Sequence, residues 1–223
     1  MPVIQPVHFI GAALISGLLA ITCEVVAERG GQRPRAFYLL KPLTSALIAA
    51  SLFAAPQRPD ALLVAAFAFA IVGDIALMFD GDKAFLAGLG SFFIAHVAFV
   101  AEFMAGVSGW HVPLWTLAFV IYALAFFIWL LPKTGALKIP TLAYGLVLTV
   151  MVLAAAAAHA AMPGAASRLA LIGALLFGLS DSVLAVRQFV GPYRGAQPLI
   201  LSSYWLAIGL IAMSRWPGGW SAG

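Results

Sequence analysis

The chain reads as an all-α, polytopic membrane helix bundle with about eight transmembrane helices, and three observations predict it. Of 223 residues, 64% are hydrophobic and only 9% charged, with a mean hydropathy of +1.06, whereas soluble domains carry charge at about a quarter of positions. Apolar stretches of the roughly 20 residues needed to cross ~30 Å of hydrocarbon as helix recur from end to end. The loops between them are too short to hold a soluble domain. A single transmembrane domain over residues 1–223 is therefore expected.

The first span, 7–27, follows MPVIQPVHF, which lacks the basic segment of a cleavable signal, so this helix is expected to be retained. It carries Cys23, the single cysteine, and Glu24 close to its end. The second, 37–54, contains Lys41 followed by Pro42, a residue tolerated in the first turns of a helix and read here as marking its start. The third, 61–79, is free of charge except for Asp74. The fourth, 84–105, holds His96 near its middle and Glu102 near its end; the fifth is 112–131. The sixth, 138–160, contains Tyr144, and the seventh, 168–188, contains Ser180 and Asp181 in a stretch, 169–186, otherwise free of charge. The eighth, 197–214, holds Tyr204 and is followed by Trp216 and Trp220, read as anchors at the membrane–water interface.

The basic residues predict the orientation. Loops after helices one, three, five and seven carry Arg29, Arg33, Arg35, Lys83, Lys133, Lys138, Arg187 and Arg194, against Arg58, Arg168 and Arg215 on the other side. The positive-inside rule then puts the odd loops in the cytoplasm and both termini outside. The basic residues are dispersed rather than gathered on one face, so a nucleic-acid partner is not expected. One cysteine excludes an intrachain disulfide and a multi-cysteine zinc site. Four histidines without paired spacing give no metal site.

Asp74 and Asp181 are 107 positions apart, close to half the chain, and G-D-x-x-L around the first matches S-D-x-x-L around the second. The echo is compatible with two parallel four-helix repeats, about 1–107 and 108–223, related by an axis along the membrane normal. Depth gives an independent argument. Asp74 lies five residues before the cytoplasmic end of its span at 79, and Asp181 five before the end of its charge-free stretch at Val186, about 7.5 Å each at 1.5 Å per residue. Lys41, Tyr144 and Tyr204 fall within ~6 to 11 Å of the same boundary, and Glu24 is nearer still. Polar chemistry from several helices thus converges on one layer in the cytoplasmic half.

A carboxylate in hydrocarbon is costly and marks a functional site by default, although a structural ion pair or interhelical hydrogen bond is the alternative. Lys41 either snorkels to the headgroups or holds an ionised aspartate or a lipid phosphate. Ser180 bonds either a neighbouring carboxylate or its own helix carbonyl. His96 is either a satisfied core histidine or a site residue; Tyr144 and Tyr204 are packing residues or site residues. Glu24 is an accessory candidate and Glu102 a structural one.

At these residues the sequence resembles the YhhN family of eight-helix membrane proteins, which includes the lysoplasmalogenases. The matching features are LLKPLTS at 39–45, VGDIALMF at 72–79, GLGSFFIAH at 88–96, Tyr144, IGALLFGLSDSVLA at 172–185 with Phe189, and SSYWLA at 202–207. The resemblance implies Lys41, Asp74, His96, Tyr144, Asp181 and Tyr204 as site positions. It also implies hydrolysis of the vinyl ether bond of a lysoplasmalogen, giving a fatty aldehyde and glycerophosphoethanolamine or glycerophosphocholine. The expected partner is a lysophospholipid drawn sideways from the bilayer, the expected location a bacterial inner membrane.

The residues suit that chemistry in their own right. A vinyl ether is cleaved by protonating its β-carbon to an oxocarbenium ion, to which water adds. The step needs one protonated carboxyl and one ionised carboxylate, as in glycosidases, and two aspartates in a low-dielectric layer divide those roles. No metal, nucleotide or redox cofactor is called for. Two rival readings use the same acids: a proton-coupled transporter, and a hydrolase of another ether or ester lipid.

Overall fold

A computed structural model describes residues 5–56 and 58–216. Trp220 and the first four residues, on which two of the expectations bear, lie outside the described residues. Eight α-helices are present among the described residues: α1 Pro6–Glu28, α2 Phe37–Phe53, α3 Ala61–Ala76, α4 Asp82–Met104, α5 Leu117–Leu130, α6 Lys138–Ala161, α7 Ala165–Phe189 and α8 Ala196–Met213. Short 3-10 turns at Leu114–Thr116 and Leu131–Lys133 flank α5, and another at Gly135–Leu137 leads into α6.

Six helical segments are long and apolar enough to cross a membrane; α2 and α3, at 17 and 16 residues, are shorter. At 1.5 Å per residue those two extend only about 25 Å. The third helix ends at Ala76 and not at 79, because Leu77 to Phe79 tighten into turns bonded to Gly73, Ile75 and Ala76. Gly81 then adopts φ +102° at the start of α4, a conformation glycine supplies without strain. This early stop has a consequence for the site, since α3 ends two residues past Asp74. Pro42 sits inside α2 rather than at its first residue.

Helices α1 and α2, α3 and α4, and α7 and α8 pack as close sequential pairs, while α4 and α6 meet at the centre of the bundle. Helix α6 can occupy that centre because Ala154 to Ala158 are small and fully buried, which lets neighbouring backbones approach closely. Gly173 plays the same part between α7 and α8. A β-carbon there would come within 2.7 Å of the Ala207 carbonyl oxygen and 2.8 Å of Ile211. Helix α5 is peripheral and buries only Ala123 and Leu130. Aromatic rings fill the interior edge to face, with Phe92 against Phe177 and Tyr204, and Phe67 against Phe99. The outer surface is equally apolar, with Leu14, Ile15, Leu18, Ile121 and Ile128 all largely exposed, as a hydrocarbon surround requires.

Candidate active site

The site begins at the C-terminal end of α3. Leu77 N–H bonds Gly73 and Met78 N–H bonds Ile75, so the Asp74 carbonyl is one of the terminal carbonyls left over by the helix. Lys41 caps it: its Nζ donates to the Asp74 carbonyl at 2.9 Å and stands 3.6 Å from Asp74 Oδ1. Lys41 is only 4% exposed, so it does not snorkel. Its charge serves both the negative end of α3 and the carboxylate beside it.

Two hydroxyls complete the Asp74 carboxylate. Ser45 donates to Oδ2 at 2.5 Å and Tyr204 donates to the same oxygen at 2.8 Å. Ser45 in turn accepts from the Trp205 indole N–H at 3.1 Å. Lys41 and Ser45 are four residues apart and so share one face of α2; Tyr204 and Trp205 arrive together from α8. Ser45 and Trp205 lie inside LLKPLTS and SSYWLA, yet neither was singled out in the sequence, because a serine or tryptophan in an apolar helix carries no mark of its own. The i, i+4 spacing from Lys41 was the available signal for Ser45. Gly73 has a packing reason, since a β-carbon there would run into the Phe92 ring at 2.6 Å.

Asp181 is held differently. Among the described residues its carboxyl accepts one hydrogen bond, from the Tyr144 hydroxyl of α6 to Oδ2, and takes part in no ion pair. Asp74 and Asp181 line one pocket with Lys41, Ser180 and Tyr204. The pocket encloses about 100 Å³, above the ~10–15 Å³ that a water needs. Its mouth is formed by Phe79, Asp80 and Gly81 of the turn after α3, by Arg187 and Gln188 at the end of α7, and by Gln197 of α8. The early end of α3 opens this mouth over Asp74. Arg187 and Asp80 were not among the site candidates, because position near a loop is the ordinary place for a charge in such a chain.

His96 stands one layer back. Its Nδ1 donates to the Phe92 carbonyl at 2.5 Å, its Nε2 has no hydrogen-bond partner among the described residues, and its ring packs edge-on against Tyr144 and Phe177. It therefore backs Tyr144 and does not line the pocket. Ser180 lines the pocket but donates to the Ile200 carbonyl of α8 at 3.1 Å, neither of the two partners expected for it. Glu24 does not line the pocket: it pairs with Arg33 at 2.6 Å and lines an adjoining basin with Glu28, Arg33 and Arg194, which shares Arg187 and Gln197 with the pocket. Glu102 forms an ion pair with Arg215 at the other end of the bundle, in keeping with a structural role. No group of three or more histidine, cysteine or acidic side chains suited to a metal occurs among the described residues.

The sequence model of the YhhN family matches residues 36–215, most of the chain and every residue of the site just described, and the chain belongs to that family. No curated protein and no solved structure matches it.

Proposed function

We propose that this member of the YhhN family hydrolyses the vinyl ether bond of a lysoplasmalogen with Asp181 as general acid and Asp74 as its charged partner. The observation that carries the reading is the unequal provision for two aspartates lining one pocket. Asp74 has a lysine and two hydroxyl donors, the surroundings of a carboxylate. Among the described residues Asp181 has one hydroxyl donor and no ion pair, which leaves it the group to carry a proton. Family association with lysoplasmalogenase agrees with this, and acid–base division between two carboxyls is the physical requirement of the reaction.

In this scheme Asp181 gives its proton to the β-carbon of the vinyl ether, and the electron pair of the double bond forms the new C–H bond. The resulting oxocarbenium ion is stabilised by the Asp74 carboxylate. Water in the pocket adds to the cationic carbon and surrenders a proton to Asp74, giving a hemiacetal. As the hemiacetal C–O bond breaks, that proton passes to the departing glycerol oxygen, and the hemiacetal hydroxyl proton returns to Asp181. One vinyl ether and one water become one aldehyde and one alcohol, with both aspartates restored. Tyr144 and Tyr204 orient the carboxyls; Lys41 keeps Asp74 charged; His96 holds Tyr144 in place. The headgroup would lie toward Arg187 at the pocket mouth, and the excess of basic residues in the odd loops supports a cytoplasmic position for that end.

The test is aldehyde release by purified protein from lysoplasmenyl-ethanolamine and from its saturated alkyl-ether analogue. Aldehyde from the first and none from the second is the expected result. If neither is cleaved by folded protein while an ester or other ether lysolipid is, the acid pair acts on a different linkage. Proton-coupled uptake into proteoliposomes without any bond cleavage would replace the reading with transport.

A further inference from the structure

Asp181 borders two spaces. One is the polar pocket; the other is an apolar groove between α5, α6 and α7, walled by Phe119, Phe126 and Phe127, by Leu148, and by Gly178 and Ala185. Among the described residues Asp181 alone lines both.

The shape and chemistry of the groove point to one kind of occupant. It lies beside α5, which buries only Ala123 and Leu130, so its open side meets hydrocarbon. It follows α5 from Phe119 to Leu130, a length of about 16 Å of helix, which suits a linear alkyl chain. Tyr122 donates to Ser182 and Thr149 to the Gly145 carbonyl, and the other polar groups that line it form a trio on adjoining turns of α6 and α7: Asp181, Tyr144 and Thr141. Thr141 precedes Tyr144 by one turn of α6, is only 6% exposed, and its Oγ1 has no hydrogen-bond partner among the described residues. A buried hydroxyl is costly to leave unpaired, and an oxygen at the polar end of a lipid tail would complete it. A second apolar groove, between α1 and α8, is walled by Trp205, whose indole bonds Ser45 and shuts that side of Asp74.

We infer that the α5–α6–α7 groove seats the single alkyl tail of a lysolipid, with its polar end at Thr141, Tyr144 and Asp181 and its headgroup in the polar pocket. The inference rests on the proposed lysolipid hydrolysis and adds to it an orientation. The junction of head and tail falls at Asp181, on the tail side of which lies the carbon to be protonated. The groove meets the polar pocket at Asp181, which gives one tail its place.

The test compares kcat/KM for a long-tailed lysoplasmenyl lipid with that for a butenyl-tailed analogue. Gly178→Leu is the principal variant, because a β-carbon there meets nothing nearer than the Phe119 ring at 3.5 Å and the added side chain fills the groove. Ala185→Trp fills it from about two turns further along α7. The long-to-short ratio is expected to fall at least tenfold in both, and to be unchanged in Leu18→Trp, which fills the α1–α8 groove. A ratio unmoved by either groove-filling change, with wild type still cleaving both lipids, overturns the inference and leaves the hydrolysis standing. A second readout needs no turnover: a saturated alkyl-ether lysophospholipid with a diazirine at its tail end, irradiated on the protein. Cross-links on α5 and α7 that Gly178→Leu removes support the groove even if no vinyl ether is cleaved; cross-links on α1 and α8 instead overturn it.

Discussion

Lys41 and Tyr144 show how differently two supporting residues can act on two carboxyls. Lys41 is a buried cation with a buried carboxylate beside it, and removing one partner of such a pair strands the other's charge at a cost of about 3–5 kcal/mol. Lys41→Met is therefore expected to lower the detergent unfolding midpoint and to reduce kcat together. Tyr144→Phe removes one hydrogen bond from Asp181 and leaves no charge stranded. Turnover should fall roughly tenfold, the equivalent of ~1.4 kcal/mol, with the unfolding midpoint almost unmoved. Parallel denaturation and aldehyde assays check the contrast; equal loss of stability in both variants would contradict it. The aspartates, Lys41 and Tyr204 were legible in the sequence because ionisable and phenolic groups at one depth in apolar helices are conspicuous. Ser45 and Trp205 were not, since their importance comes from bonding Asp74 and each other across helices. Glu24 is the reverse case, since depth alone could not reveal its pairing with Arg33.

At the scale of the helix, position was easier to read than length. Eight apolar segments were visible, but the 16-residue α3 stops short because its last carbonyls are taken by turn hydrogen bonds and by Lys41, neither of which hydropathy registers. The close approach of α7 and α8 was equally invisible, since Gly173 looks like any other glycine in an apolar run. It now carries a prediction. Gly173→Val would press a branched side chain on the Ala207 backbone and on Ile211, and overpacking of this kind costs typically ~1–3 kcal/mol. A lowered unfolding midpoint in detergent is expected. An unchanged midpoint would mean that the α7–α8 contact yields more readily than its geometry allows.

For the whole molecule, an up-and-down bundle converts sequence distance into shared depth. The ends of α1, α3 and α7 and the starts of α2 and α8 gather at one face, where Glu28 of α1 accepts from the Gly195 N–H of the α7–α8 loop at 2.9 Å. That arrangement lets α3 and α7 present their aspartates to one pocket although 107 positions separate them, and the polar layer anticipated from depth is present in the fold. The peripheral standing of α5 was not anticipated: its uniformly apolar sequence is the same whether a helix is central or faces lipid on most sides. Its looseness is what leaves a groove next to Asp181.

Aldehyde release from lysoplasmenyl-ethanolamine by wild type, Asp74→Asn and Asp181→Asn, side by side at equal folded concentration, tests the central claim most directly. The account predicts release by wild type and a loss of at least ~10²-fold in each variant, the scale of an acid–base contribution. Undiminished release by either variant would remove that aspartate from the chemistry and contradict the account.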